Sequence, residues 1–227
     1  MDTERSVVDR ARVHAALGDP ARLAVVDRLM LSDQSPGELA RALELPTNLL
    51  AHHLRALEVA GVVERTRSEG DQRRTYVRLV PGRLEGLVVA PGPAAPRVVF
   101  VCTHNSARSQ LAAATWASRS TVPVASAGTV PATRVHPLAV ATARRHGLAL
   151  VGRGTHHVDD TVQTGDLVVA VCDNAHERLA GSGHLHWSVP DPVRVGTDAA
   201  FELSLEVIED RVGRLVAAVT PEEERPA

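Results

Sequence analysis

Cys102 stands six residues before Arg108 in Cys102-Thr103-His104-Asn105-Ser106-Ala107-Arg108-Ser109, between an apolar run, Val98 to Val101, and an alanine-rich segment. A tetrahedral dianion needs a tight loop with converging backbone N–H groups, a helix N-terminus behind it and no competing negative charge. No acid occurs from Phe100 to Ala125. Spacing alone does not single out this loop, because Cys172-Asp173-Asn174-Ala175-His176-Glu177-Arg178 repeats it after another apolar run. There Asp173 and Glu177 would repel an anion, so Cys102 is the expected nucleophile.

The remaining roles follow from the chemistry. A cysteine at a helix N-terminus beside an arginine is expected as the thiolate. Arg108 offers a planar fork for two oxygens, Ser109 a hydroxyl for the thiolate, and Asn105 tolerance of a left-handed loop. Thr103, His104, Ser106 and Ala107 complete the oxyanion loop. The leaving oxygen must be protonated, and Asp191, set between Pro190 and Pro192, is the expected acid.

These residues need strands and helices to hold them. From Val98 onward, apolar strands alternate with helices: strands near 122–126 and 167–171, and helices after Arg108, over 136–146 and over 198–219. Such alternation predicts an α/β domain with a parallel sheet between helical layers. Before it, apolar residues recur at three and four over 7–17 and 21–31. A third helix follows from Ser35 to about Leu45, and a fourth opens at Pro46 and Thr47 and stops at Gly61. Alternating segments at 62–66 and 75–79 then read as a hairpin. The expected division is a DNA-binding domain over 1–87, a linker over 88–96 rich in proline and glycine, an α/β domain over 97–219, and a disordered tail over 220–227.

Two short helices with a tight turn, followed at once by a hairpin, form a winged helix-turn-helix, whose second helix enters the major groove. Thr47, Asn48, His52, His53 and Arg55 are the residues of that helix expected to reach DNA. Arg67, Arg73 and Arg74 are their counterparts in the hairpin. An arginine-rich hairpin is equally consistent with a solvated face. The stretches LGDPARLAVVDRL and AHHLRALEVAGVVERTRSEGDQRRTYVRL resemble the ArsR family of bacterial repressors. The resemblance implies a homodimer on a palindromic operator. Many metalloid-sensing members carry a cysteine pair where this chain has Ser35 to Leu39, and no cysteine precedes Cys102, so thiolates of this domain are not expected to sense trivalent arsenic. No metal site is expected, since His14, His52 and His53 read more simply as surface or DNA-facing residues.

VVFVCTHNSARSQLAAA, SAGT at 126–129 and HWSVPDP at 186–192 are similar to the low-molecular-weight protein tyrosine phosphatases and to the arsenate reductases built on their fold. The likeness implies an oxyanion substrate at Cys102, with Arg108 as clamp and Asp191 as acid. The phosphatases usually place tyrosines after the Asp-Pro pair, but here Val193-Arg194-Val195-Gly196 follows, and the only tyrosine, Tyr76, lies in the other domain. An aromatic-poor rim favours a small inorganic substrate. Three-cysteine reductases carry a third thiol seven residues after the second. Cys172 matches the second, but the third position is Leu179. Electrons must then come from an external thiol donor, mycothiol with mycoredoxin or thioredoxin, with no bound cofactor. Cys172 is open to two readings, a resolving thiol or a buried small hydrophobe.

Composition sets the outer bounds. A net charge of −2 gives no global attraction to nucleic acid, so DNA contact must be local, and the basic residues are all arginine. No apolar run reaches the roughly 20 residues that span a bilayer, and MDTERSVVDR is too charged for a signal peptide. A cytoplasmic protein without membrane contact is expected. Three functions remain: a regulator fused to an arsenate reductase in arsenic resistance, a phosphotyrosine phosphatase, and a non-catalytic arsenate or phosphate sensor that controls DNA binding.

Overall fold

The computed structural model describes residues 7–80, 82–84, 94–179 and 183–219. Most of the expected linker, residues 88–93, and the expected tail, 220–227, lie outside them. Two compact units divide the chain. The first runs through α1 (Val7–Leu17), α2 (Pro20–Leu31), α3 (Pro36–Ala42), α4 (Thr47–Val59), β1 (Val63–Arg67) and β2 (Thr75–Leu79). Asp19 caps α2 by accepting from the Arg22 N–H at 3.0 Å, with Pro20 in the first turn. Ser35 and Glu38 close a capping box on α3, at 3.3 and 2.7 Å.

α3 ends at Ala42, short of the expected Leu45. Glu44 takes a left-handed φ of 53°, its N–H bonds the Arg41 carbonyl at 3.3 Å, and the Leu45 N–H bonds the Ala40 carbonyl at 2.9 Å. This is a Schellman ending with glutamate where glycine is usual. The absent glycine hid it from the sequence. Leu50, His53, Leu54 and Leu57 form the buried stripe of α4 and join Val25, Val26, Leu29 and Leu39 in the core. Burying each such leucine is worth about 1.5–3 kcal/mol. β1 and β2 pair antiparallel from Val63 opposite Leu79 to Arg67 opposite Thr75.

The second unit runs through β3 (Val98–Cys102), α5 (Arg108–Ala117), β4 (Val124–Gly128), α6 (Pro137–Arg145), α7 (Val158–Thr161), β5 (Leu167–Ala170), α8 (Asp173–Arg178), β6 (Leu185–His186), α9 (Pro192–Val195) and α10 (Asp198–Ala218). Its sheet is parallel, in the order β4-β3-β5-β6. Every residue of β3 is buried, as a central parallel strand covered on both faces requires. α5 packs on β3 and β4 and against α10, while α8 packs on β3 and β5. Arg97 grips Asp166 with two bonds, of 2.9 and 2.6 Å, and so ties the entrances of β3 and β5 together. β4 starts two residues later than expected because Pro123 contributes only its carbonyl, to the Val98 N–H at 2.9 Å.

The chain leaves β3 toward β4 and leaves β5 toward β6, in opposite directions. The carboxyl ends of β3 and β5 therefore flank the switch point of the sheet, where ligands of open α/β folds bind. Cys102 closes β3 and Cys172 follows β5, so both cysteine loops open at that crevice. No helix among the described residues is long and apolar enough to cross a membrane.

Candidate active site

The loop from Cys102 to Arg108 is shaped by what its carbonyls bond. Those of Cys102, Thr103, His104 and Ser106 accept N–H groups from Thr129, Val130, Ala132 and His136, at 3.1, 2.8, 2.9 and 2.8 Å. With the carbonyls turned outward, the planar peptides aim their N–H groups to the opposite side, as anion binding requires. Asn105 holds the bend at φ 50°, and its N–H reaches Cys102 Sγ at 3.2 Å.

The Asn105 side chain is fully buried and fully bonded. Its Nδ2 donates to Ser109 Oγ at 2.9 Å and to Ser126 Oγ at 3.0 Å. Its Oδ1 accepts from the His156 N–H at 2.9 Å and Gln110 Nε2 at 3.3 Å. Because Ser109 Oγ accepts from Asn105, its own proton is left for Cys102 Sγ, 3.1 Å away. Such a closed polar network fixes geometry well when every member is satisfied. Sequence reasoning nominated Asn105 and Ser109 but missed Ser126, Gln110 and His156.

Gly128 lies in the SAGT stretch, and a Cβ there would lie 2.8 Å from the Thr103 carbonyl oxygen and 2.9 Å from the Asn105 nitrogen. Backbone atoms have no rotamer escape. Gly128→Ala is expected to displace the loop and lower kcat/KM for the oxyanion substrate about 100-fold. Steady-state rates beside a thermal melt check this, and a variant with wild-type turnover would refute the packing argument.

Arg108 is 3% exposed, with Nη1 donating to the Val189 carbonyl at 3.0 Å and Nη2 3.1 Å from Asp191 Oδ2. Burial works against its charge, but Cys172, Cys102 and Asp191 outweigh it and hold the guanidinium above its ordinary value. Asp191 Oδ1 also caps α9 through the Val193 N–H at 3.1 Å, and Pro192 occupies the first turn. Thiol, guanidinium and carboxylate thus meet at the switch point. Thr103 is half-buried, His104 exposed, and Ser106 and Ala107 buried in the loop. Cys172 is 1% exposed, with Sγ 3.5 Å from Thr103 Oγ1, and burial pushes its thiol up.

In the first unit Thr47, Asn48, His52, Arg55, Arg67, Arg73 and Arg74 are exposed, as DNA contact requires. His53 is the correction. It was expected at the surface, but it is 8% exposed, within the Leu50, Leu54 and Leu57 stripe, with Nδ1 3.6 Å from Asp19 Oδ1. It is a packing residue. Two wing arginines are tied to acids, Arg65 to Glu58 and Arg78 to Glu64, which reduces the local positive field. A groove of about 480 Å³ beside α4 adds Arg12 and Arg22 to His52 and Arg55, cations that sequence reasoning did not single out.

A parallel α/β sheet carrying this thiol, fork and acid at its switch point has the arrangement of cysteine-dependent oxyanion enzymes. The model described as low molecular weight phosphotyrosine protein phosphatase matches residues 97–225, more than half of the chain, and the protein belongs to that family. A helix-turn-helix domain model matches residues 17–66. Arsenate reductase of Bacillus subtilis (strain 168) is 30% identical over 125 residues, 51% of this chain and 88% of that protein. HTH-type transcriptional repressor SmtB of Mycobacterium tuberculosis is 36% identical over 86 residues, 37% of this chain and 62% of its own length. The solved arsenate reductase of Archaeoglobus fulgidus is 30% identical, with a TM-score of 0.47, covering 52% of this chain and 98% of that one. A helix-turn-helix domain similar to ArsR-type repressors is fused to a domain similar to arsenate reductases and low-molecular-weight phosphatases.

Proposed function

We propose that the chain is a cytoplasmic, homodimeric transcriptional regulator whose carboxyl-terminal domain reduces arsenate with thiols, acting in arsenic resistance. The proposed domains span 1–87 and 97–219. Against the phosphatase reading, the rim after Asp191 is formed by α9, which presents exposed Val193, Arg194 and Val195, while Trp187 is buried. Among the described residues no aromatic slot is built there. That observation carries the choice of a small inorganic substrate.

In the proposed cycle the Cys102 thiolate attacks arsenic while Arg108 holds two of its oxygens. The leaving oxygen takes a proton from Asp191 and departs as water. A second thiol then attacks Cys102 Sγ, the electron pair of the S–As bond passes to arsenic, and arsenite leaves a disulfide behind. Cys172, in contact with Thr103 of the nucleophile loop, is proposed as that thiol. An external dithiol restores both cysteines, since position 179 is leucine. Arsenate-dependent oxidation of thiol should vanish in Cys102→Ser, and thiol loss that ignores arsenate or survives this substitution would reject the reading.

A further inference from the structure

Asp173 is a buried carboxylate, 2% exposed, with no part in the cycle above. Its position after Cys172 suggested an acid that would repel a ligand. Instead, Oδ1 accepts from Ser188 Oγ at 2.6 Å and is bonded by His186 Nε2 at 3.0 Å. Burial opposes its charge, but the bonds from His186 and Ser188 outweigh it and hold the carboxyl below its usual range. His186 is itself oriented, with its ring stacked on His176 at 4.0 Å and 8°, while His176 Nδ1 bonds His184 Nε2 at 2.8 Å.

Ser188 begins the segment that ends at Asp191. That segment is anchored behind Ser188 by the Trp187 N–H on the Ala170 carbonyl at 2.8 Å. Ahead of it, Arg108 holds the Val189 carbonyl at 3.0 Å and Ser204 Oγ the Pro190 carbonyl at 3.2 Å. We propose that Asp173 is a positioning residue for the general acid: through Ser188 and His186 it sets the path of 188–191 and so places Asp191 against Arg108. Charge-assisted bonds to a buried carboxylate are the strong kind, and neutralising that carboxylate weakens its hold on the Ser188 hydroxyl and the His186 imidazole. The second cysteine loop thereby serves the first as its scaffold. This inference rests on Asp191 being the acid.

The test uses the full chain with Asp173→Asn, Ser188→Ala, Asp191→Asn, and each of the first two combined with Asp191→Asn. Arsenate-dependent thiol oxidation and arsenate binding by calorimetry are measured for each. Asp173→Asn and Ser188→Ala are expected to lower kcat about tenfold without weakening arsenate binding, and to cost nothing further once Asp191 is asparagine. Equal, additive losses in both backgrounds would make Asp173 merely structural and overturn the proposal. Crystal structures of the two single variants provide the arm that does not depend on turnover. Asp191 is expected to leave Arg108, and an Asp191–Arg108 pair kept at its present distance in both would overturn the proposal. A wild-type chain without arsenate turnover would instead refute the reductase reading, and the crystallographic arm would still decide the positioning role.

Discussion

Arg108→Lys is expected to lower kcat/KM for arsenate about 10³-fold, roughly 4 kcal/mol of transition-state stabilisation, although the charge is kept. The arginine is buried, bonded through Nη1 to the Val189 carbonyl and through Nη2 to Asp191, so its fork is already aligned before an anion arrives. Lysine supplies a point charge on a flexible stem, matches one oxygen at a time and abandons one of the two loop contacts. Initial-rate kinetics on folded variant protein measure the effect. A loss smaller than tenfold would mean that charge alone, without the planar fork, carries the site.

Asp191→Asn should separate binding from turnover. Its carboxylate lies 3.1 Å from the Arg108 fork and competes for it with any incoming dianion, which it also repels. Asparagine removes that charge and retains an oxygen able to cap the Val193 N–H. Orthophosphate or arsenate is therefore expected to bind about tenfold more tightly, a change of roughly 1.4 kcal/mol and well within the Coulomb energy of charges at this separation. Turnover is expected to fall by about 10²–10³, because no proton reaches the leaving oxygen. Calorimetric titration paired with steady-state rates tests both halves. Weaker anion binding in the variant would contradict the competitive geometry, and undiminished turnover would remove Asp191 from the mechanism.

The groups that act were readable in the sequence because chemistry demands their types. A thiol, a guanidinium at fixed spacing and a proline-flanked carboxylate mark themselves. The groups that hold them were not readable. Asn105 meets Ser126 and the His156 backbone across 21 and 51 positions, and contacts at such separations leave no period to detect. Gly128 matters for what a Cβ would strike, which only the packed strand reveals. Asp173 was weighed by its charge, whereas its direction, toward Ser188 and His186, decides what it does.

The elements followed the same division. The long helices were legible from periodicity and strands β3 and β5 from their unbroken apolar runs, but α7, α8, α9 and β6 span four, six, four and two residues, too short to show a pattern. His53 is different, since the signal was present. Leu50, His53, Leu54 and Leu57 have the three-and-four spacing of a buried stripe.

Attack of Cys102 on arsenic, with electrons drawn from thiols, fixes the products and their ratio. The most direct test incubates the full chain with arsenate and either mycothiol with mycoredoxin or thioredoxin, then quantifies arsenite against disulfide formed. Arsenite and disulfide are expected in equal amounts with at least one donor, and neither in Cys102→Ser. Hydrolysis of an aryl phosphate with no arsenite from either donor would contradict it and make the domain a phosphatase.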